Sequence, residues 1–134
     1  MPIPAIRRFR LGDRVYVRAQ QAWIILVAHV MSTKGPWKSR LLTYGDLAAR
    51  MGVDPRAAIG LGRELGVVGS YCLKNGLPGL NCLVVAQQTG APGPGVLVTK
   101  GKTWKDDARA SLNVNWFEFR VPTTGTLRQV WEQL

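Results

Sequence analysis

Leu41-Leu42-Thr43-Tyr44-Gly45-Asp46-Leu47-Ala48-Ala49-Arg50-Met51-Gly52 runs directly into Val53-Asp54-Pro55. Thr43 and Asp46 have the spacing of a capping box, in which each side chain accepts the other residue's main-chain N–H; Asp is a shorter third-position partner than Glu. Leu47, Ala48 and Met51 recur at helical spacing and make an inner face, and Gly52 is a natural terminator. Asp54 can cap a second helix at once, with Pro55 at its first position, where no main-chain donor is missed. Two short helices joined by a tight turn are the grammar of a helix-turn-helix.

The second helix reads from Pro55 to about Leu65, with a continuation from Val67 to Lys74 that Asn75-Gly76 ends. Ala57, Ala58, Gly60 and Gly62 leave part of its surface almost without side chains, while Arg56 stands in its first turn and Arg63 two turns later. A glycine inside a helix costs about 1 kcal/mol, so two in one short helix imply that something comes close. That body is either DNA or another helix of the same domain.

Outward toward the amino terminus, Ala19, Ala22, Trp23, Leu26, Val27 and Val30 follow helical periodicity, after a turn and N-cap at Gly12-Asp13 and before a stop at Gly35-Pro36. Residues 14–34 are thus a core helix. Arg7, Arg8 and Arg10 precede it in a basic arm over residues 1–13, and Lys38 and Arg40 follow it in a polar connection. Trp37, among Lys34, Lys38 and Arg40, reads as packing against the terminal helix, with stacking on a base as the alternative. The chain carries 18 Lys and Arg against 8 Asp and Glu, a net charge of +10. Such an excess, clustered as it is, points to a polyanion as partner and to salt-dependent binding.

Outward toward the carboxyl terminus, Leu80–Ala86 and Val96–Thr99 are apolar and β-favouring on either side of a Pro/Gly-rich turn, Thr89–Gly95. They predict a hairpin over residues 80–99, with Lys100 and Lys102 at its far end placed to meet phosphate. A helix from Thr103 to Leu112, a strand or extended segment from Trp116 to Val121 and a helix from Thr126 to Leu134 complete residues 103–134. At 134 residues with 46% hydrophobic content, one domain is expected. The expected fold class is α+β and winged-helix-like: an N-terminal core helix, the helix-turn-helix and its extension over 43–75, a hairpin wing and a C-terminal helix.

Thr43-Tyr44-Gly45-Asp46-Leu47-Ala48, then Arg56, then the small-residue helix resembles the carboxy-terminal DNA-binding domain of O6-alkylguanine-DNA alkyltransferases and their inactive alkyltransferase-like relatives. The likeness covers residues 41–85. It implies a helix in the minor groove, with Arg56 helping to hold out a flipped base, Tyr44 near the backbone, and Ala57, Ala58 and Gly60 as the close-contact surface. Those enzymes carry Pro-Cys-His-Arg after this helix; the nearest equivalent here is Asn81-Cys82-Leu83-Val84-Val85, and the only histidine is His29, in the core helix. Without a histidine beside the thiol, alkyl transfer is not expected. The stretch Leu77–Pro94 also resembles bacterial proteins of mobile or accessory gene clusters.

Other chemistries find little purchase. Cys72 and Cys82 read as buried thiols, and no metal-ligand spacing occurs. Asp106-Asp107 with Glu118 has the composition of a nuclease's metal ligands but fits better as the acidic first turn of a helix capped by Thr103. Gly90–Gly95 lacks the Lys-Ser or Lys-Thr of a phosphate loop. No apolar run approaches the ~20 residues of a membrane span, and no signal-peptide cleavage pattern follows the arginines, so a cytoplasmic setting is expected. The expectation is a non-enzymatic DNA-binding module without cofactor or metal. Its positioning groups are Tyr44, Arg56, Arg63, Arg7, Arg8, Arg10, Lys38, Arg40, Lys100 and Lys102, and its contact face comprises Ala57, Ala58 and Gly60. The alternative is a protein-interaction, inhibitor or accessory module binding a protein or nucleoprotein partner.

Overall fold

The computed structural model describes the backbone of residues 1–134 and every side chain except those of residues 57–59. The core helix, α1, spans Val15–Ser32 and buries Ala19, Ala22, Trp23, Leu26, Val27 and Val30, the face its periodicity specifies. Its cap is not Asp13: that carboxylate accepts from the Arg10 N–H at 2.7 Å in the preceding turn, and Arg14 is the capping residue. Residues 1–10 lie outside any regular element, and the whole segment is exposed.

A two-residue strand, β1 (Leu42–Thr43), leads into α2 (Tyr44–Arg50). The capping box forms: Asp46 N–H donates to Thr43 Oγ1 at 3.0 Å and Thr43 N–H to Asp46 Oδ2 at 3.0 Å. Gly52 has φ +77°, the left-handed conformation that lets the chain turn while Val53 N–H reaches the Ala48 carbonyl at 2.8 Å. Asp54 then accepts the Arg56 N–H at 2.9 Å. Beyond Asp54 the chain departs from the single helix its sequence suggests: Pro55–Leu61 is wound as a tighter 3-10 turn, and a regular helix, α3, begins only at Gly62 and continues unbroken to Lys74.

α3 is the central element. It packs on α1 and on the terminal helix α5 (Thr124–Glu132). Trp23 of α1 meets Tyr71 of α3 edge-on at 5.3 Å and Trp116 edge-on at 5.5 Å, contacts worth about 0.5–1.5 kcal/mol each beyond the area they bury.

Residues 80–99 do not form the expected hairpin. Leu80–Leu83 is a 3-10 turn, and β2 (Val84–Val85) pairs parallel with β1, Leu42 opposite Val84 and Thr43 opposite Val85. Val96–Thr99 has no ladder: the Leu97 carbonyl is taken by Asn81 Nδ2 at 3.1 Å and Cys82 Sγ at 3.5 Å, and Pro92 and Pro94 have no N–H to contribute. Trp116–Val121 is likewise not a strand. Trp116–Glu118 is a 3-10 turn because the Trp116 ring is buried and its indole N–H donates to the Ser111 carbonyl at 2.8 Å. The helix α4 (Trp104–Ser111) carries the second capping box, Thr103 with Asp106. The architecture is α+β with a minimal sheet, and no described helix is long and apolar enough to cross a membrane.

Candidate nucleic-acid interface

Gly60 in the 3-10 turn and Gly62 at the start of α3 are exposed, and Gly66, one turn further, is half-buried. A Cβ added at Gly60, Gly62 or Gly66 would meet no atom of the described residues within 4 Å, so packing against those residues does not explain these glycines. Gly69, one turn on, is the opposite case: its Cβ would stand 2.7–2.8 Å from the Asn81 amide. α3 therefore spends one glycine, Gly69, on its own core and leaves Gly62 and Gly66 open, with Gly60 open in the turn before it.

Gly62, Leu65 and Gly66 form one wall of a groove of about 730 Å³. Tyr44, Pro55 and Arg56 border it on the α2 side, and Gln87, Gln88 and residues 93–97 also line it. Tyr44 is tied to that segment, since its hydroxyl accepts the Gly93 N–H at 2.7 Å. The tyrosine thus anchors a loop instead of standing free for a backbone. Asn81 lies at the bottom, buried, with Nδ2 committed to Leu97 and Oδ1 unpartnered against the Gly69 and Gly79 main chain.

Arg56 is exposed at the mouth in an ion pair with Asp54, Nη2 to Oδ2 at 3.0 Å, and this arginine's hydrogen bonds hold the Asp54 carboxyl below its usual range. Both partners are solvated, so the arginine is readily released to another anion. Arg63 is exposed and without an acidic partner among the described residues. Gly60 is exposed beside it; the expected contacts at Ala57 and Ala58 lie outside the described side chains. Arg7, Arg8 and Arg10 extend from the arm as exposed cations. Arg40 is a correction: its Nη2 donates to the Val30 carbonyl at 3.0 Å and its Nε to Thr33 Oγ1 at 3.1 Å, so it caps the end of α1. Lys38, Lys100 and Lys102 belong to a different part of the surface, beside α4. Trp37 packs not on the terminal helix but against Trp104, with ring centroids 6.1 Å apart.

Leu65, Gly66, Asn81, Gln87 and Gln88 join the groove without having been expected there. For Gly66 the sequence carries a signal: it continues the i, i+4 spacing from Gly62. The two glutamines carry none, because only the fold of the Pro/Gly loop brings them to the groove.

The thiols are unsuited to nucleophilic work. Burial pushes Cys82 and Cys72 both up to about 12, the nearby Asp107 carboxylate adding to the shift, so both stay protonated at neutral pH. Asp106 is held in its capping box, and Asp107 is buried, accepting from Gly79 N–H at 3.2 Å, Thr99 N–H at 2.8 Å and Thr99 Oγ1 at 3.0 Å. Among the described residues no three His, Cys, Asp or Glu gather as a cation site. No protein-family model, no curated protein and no solved structure matches the chain.

Proposed function

We propose that the chain is a non-enzymatic DNA-binding module that meets duplex DNA with the open glycine face of residues 60–66, flanked by Arg56 and Arg63. The observation that carries the reading is these glycines themselves, Gly60 before α3 and Gly62 and Gly66 in its first turns, unopposed within 4 Å among the described residues, in a protein of net charge +10. Bare backbone beside exposed arginines suits close approach to a phosphate-lined groove and not base reading by long side chains. In this reading the helix-turn-helix acts as in winged-helix proteins, with the Tyr44-anchored Pro/Gly loop in the wing's place. By the alkyltransferase resemblance the adjoining groove receives an extruded base, which it holds without reacting, because Cys82 remains a thiol.

Titration of the wild type, Arg63→Ala and Arg56→Ala into duplex and single-stranded DNA at two salt concentrations tests this. Both substitutions should weaken duplex binding, and affinity should fall steeply with salt. Absence of duplex binding by the wild type at low salt would sink the proposal.

A second reading, a protein-interaction module, rests on a different surface. Phe117, Phe119 and Val121, close together in the segment after Trp116, are 68%, 41% and 48% exposed, apolar side chains that a partner could cover. Stoichiometric recovery of a protein partner, abolished by Phe117→Ser, would favour it.

A further inference from the structure

A second concave surface, of about 830 Å³, lies between α4 and the end of α3. Lys100, Lys102 and Arg109 line it. None of the three pairs with a carboxylate among the described residues, although two aspartates are close by. Asp106 accepts the Thr103 N–H at 2.9 Å, and Asp107 is buried, its Oδ2 accepting from Gly79 and Thr99. The local acids serve the main chain, and the cations remain for an outside anion.

Arg109 is also held in place. Its guanidinium carbon lies 4.8 Å from the centre of the Trp37 ring, Lys38 Nζ lies 5.8 Å from the same centre, and Trp104 backs the indole edge-on. Because the arginine is stacked on Trp37, that ring is a platform that fixes a cation and is not open to a base.

The two concavities are contiguous along the chain. Val96 and Leu97 line the groove while Val98, Thr99, Lys100 and Lys102 line the second surface. On α3 the corresponding positions are Gly66 and Leu73, seven residues apart and therefore about 10 Å along the axis. With one phosphate per strand about every 3.4 Å of duplex axis, that is roughly three phosphates.

We propose that Lys100, Lys102 and Trp37-supported Arg109 form a phosphate tract for the DNA backbone that continues past the glycine face. The tract rests on the DNA-binding reading and adds to it the direction in which the duplex runs over the protein: along α3, toward α4.

The test is the salt dependence of binding to a short mixed-sequence duplex between about 50 and 200 mM salt. It compares the wild type, the triple variant Lys100→Ala/Lys102→Ala/Arg109→Ala, and a control that removes three exposed cations elsewhere, Arg14→Ala/Arg120→Ala/Arg128→Ala. All six side chains are on the surface, and circular dichroism verifies that each variant is folded. The tract variant should lower the slope of log affinity against log salt by about two to three, roughly 0.9 for each phosphate no longer neutralised, with the control unchanged. An unchanged slope in the tract variant, while the wild type binds, overturns the tract and leaves the DNA-binding reading standing. An equal reduction in both variants also overturns it, because net charge alone then accounts for the effect. Failure of the wild type to bind duplex removes both.

Discussion

Substituting two glycines of α3, Gly66 and Gly69, should move stability in opposite directions. Gly66 is helical, and a Cβ there meets nothing within 4 Å. Gly66→Ala therefore gains the helix-propensity difference, about 1 kcal/mol, with no steric offset. In a chain of 134 residues that raises the melting temperature by about 4 °C. At Gly69 the same propensity gain meets the Asn81 amide at 2.7–2.8 Å. Asn81 cannot yield freely, since it is buried and its Nδ2 is bonded to the Leu97 carbonyl at 3.1 Å. Overpacking costs about 1–3 kcal/mol and the displaced hydrogen bond about 1 kcal/mol more, so Gly69→Ala should be a net loss of about 1–3 kcal/mol.

Urea denaturation followed by tryptophan fluorescence measures both, and the midpoints should separate by the equivalent of about 2–4 kcal/mol at unchanged slope. The functional half of the prediction uses Gly66→Leu. Leucine keeps the propensity gain but projects into the groove and the proposed contact face, so duplex affinity should fall at least about tenfold, a loss near 1.4 kcal/mol, in a protein that has become more stable. A stabilised Gly66→Leu variant that binds DNA as well as the wild type would refute the glycine face as the contact surface. A Gly69→Ala variant as stable as Gly66→Ala would refute the packing account of Asn81.

Glu64 is fully buried, its oxygens lack hydrogen bonds, and its nearest cation is Arg18 Nη1 at 3.7 Å; Arg18→Met should strand the carboxylate and cost about 3–5 kcal/mol, while Arg18→Met/Glu64→Leu recovers most of that loss in urea titrations. His29 is held below its ordinary 6.5 chiefly by burial, and the nearby Arg50 and Arg40 cations also lower it. Its Nε2 is 2.7 Å from the Arg40 carbonyl and its Nδ1 2.9 Å from Arg50 Nη1, which suits a neutral ring that donates to the first and accepts from the second. The unfolded chain then takes up the proton first, so stability is complete above about pH 6.5 and declines as pH falls toward the lower folded value; His29→Gln should flatten that decline in pH-dependent melting. Tyr44→Phe removes the acceptor of the Gly93 N–H, and faster amide exchange at Gly93, with about 1 kcal/mol lost, is the expected result.

The turn and cap grammar is legible in the sequence because it is local. The Thr43–Asp46 and Thr103–Asp106 boxes, the left-handed Gly52 and the Asp54-Pro55 start each depend on residues within four positions of one another. Residues 80–99 mislead because what decides them is distant: β2 finds its partner about forty residues earlier in β1, and the Leu97 carbonyl is claimed by Asn81 and Cys82. β-propensity describes a half-buried pleated surface and cannot say which strand supplies it. Arg40 misleads for a similar reason, as a cation near a helix end serves solvent or the last carbonyls equally well until the chain's return path is known. The buried Glu64 is within reach of sequence reasoning, since it stands between Leu61, Leu65 and Val68 on the buried stripe of α3.

The same division of labour bears on the charge. All five aspartates accept main-chain N–H groups: Asp13 from Arg10, Asp46 from Thr43, Asp54 from Arg56, Asp106 from Thr103, and Asp107 from Gly79 and Thr99. Of the glutamates, Glu64 is buried against Arg18 and Glu132 pairs with Arg128 within its own helix. Among the described residues only three of the 18 cations, Arg18, Arg56 and Arg128, have a carboxylate within 4 Å. The acids are thus occupied in shaping turns and helix starts, and the unneutralised cations are the surface's own. A surface evolved for solubility alone would intersperse the two signs and pair them. Here the aspartates are tied to main-chain N–H groups and most lysines and arginines have no carboxylate partner among the described residues, the distribution that the proposed contact with a phosphate backbone calls for.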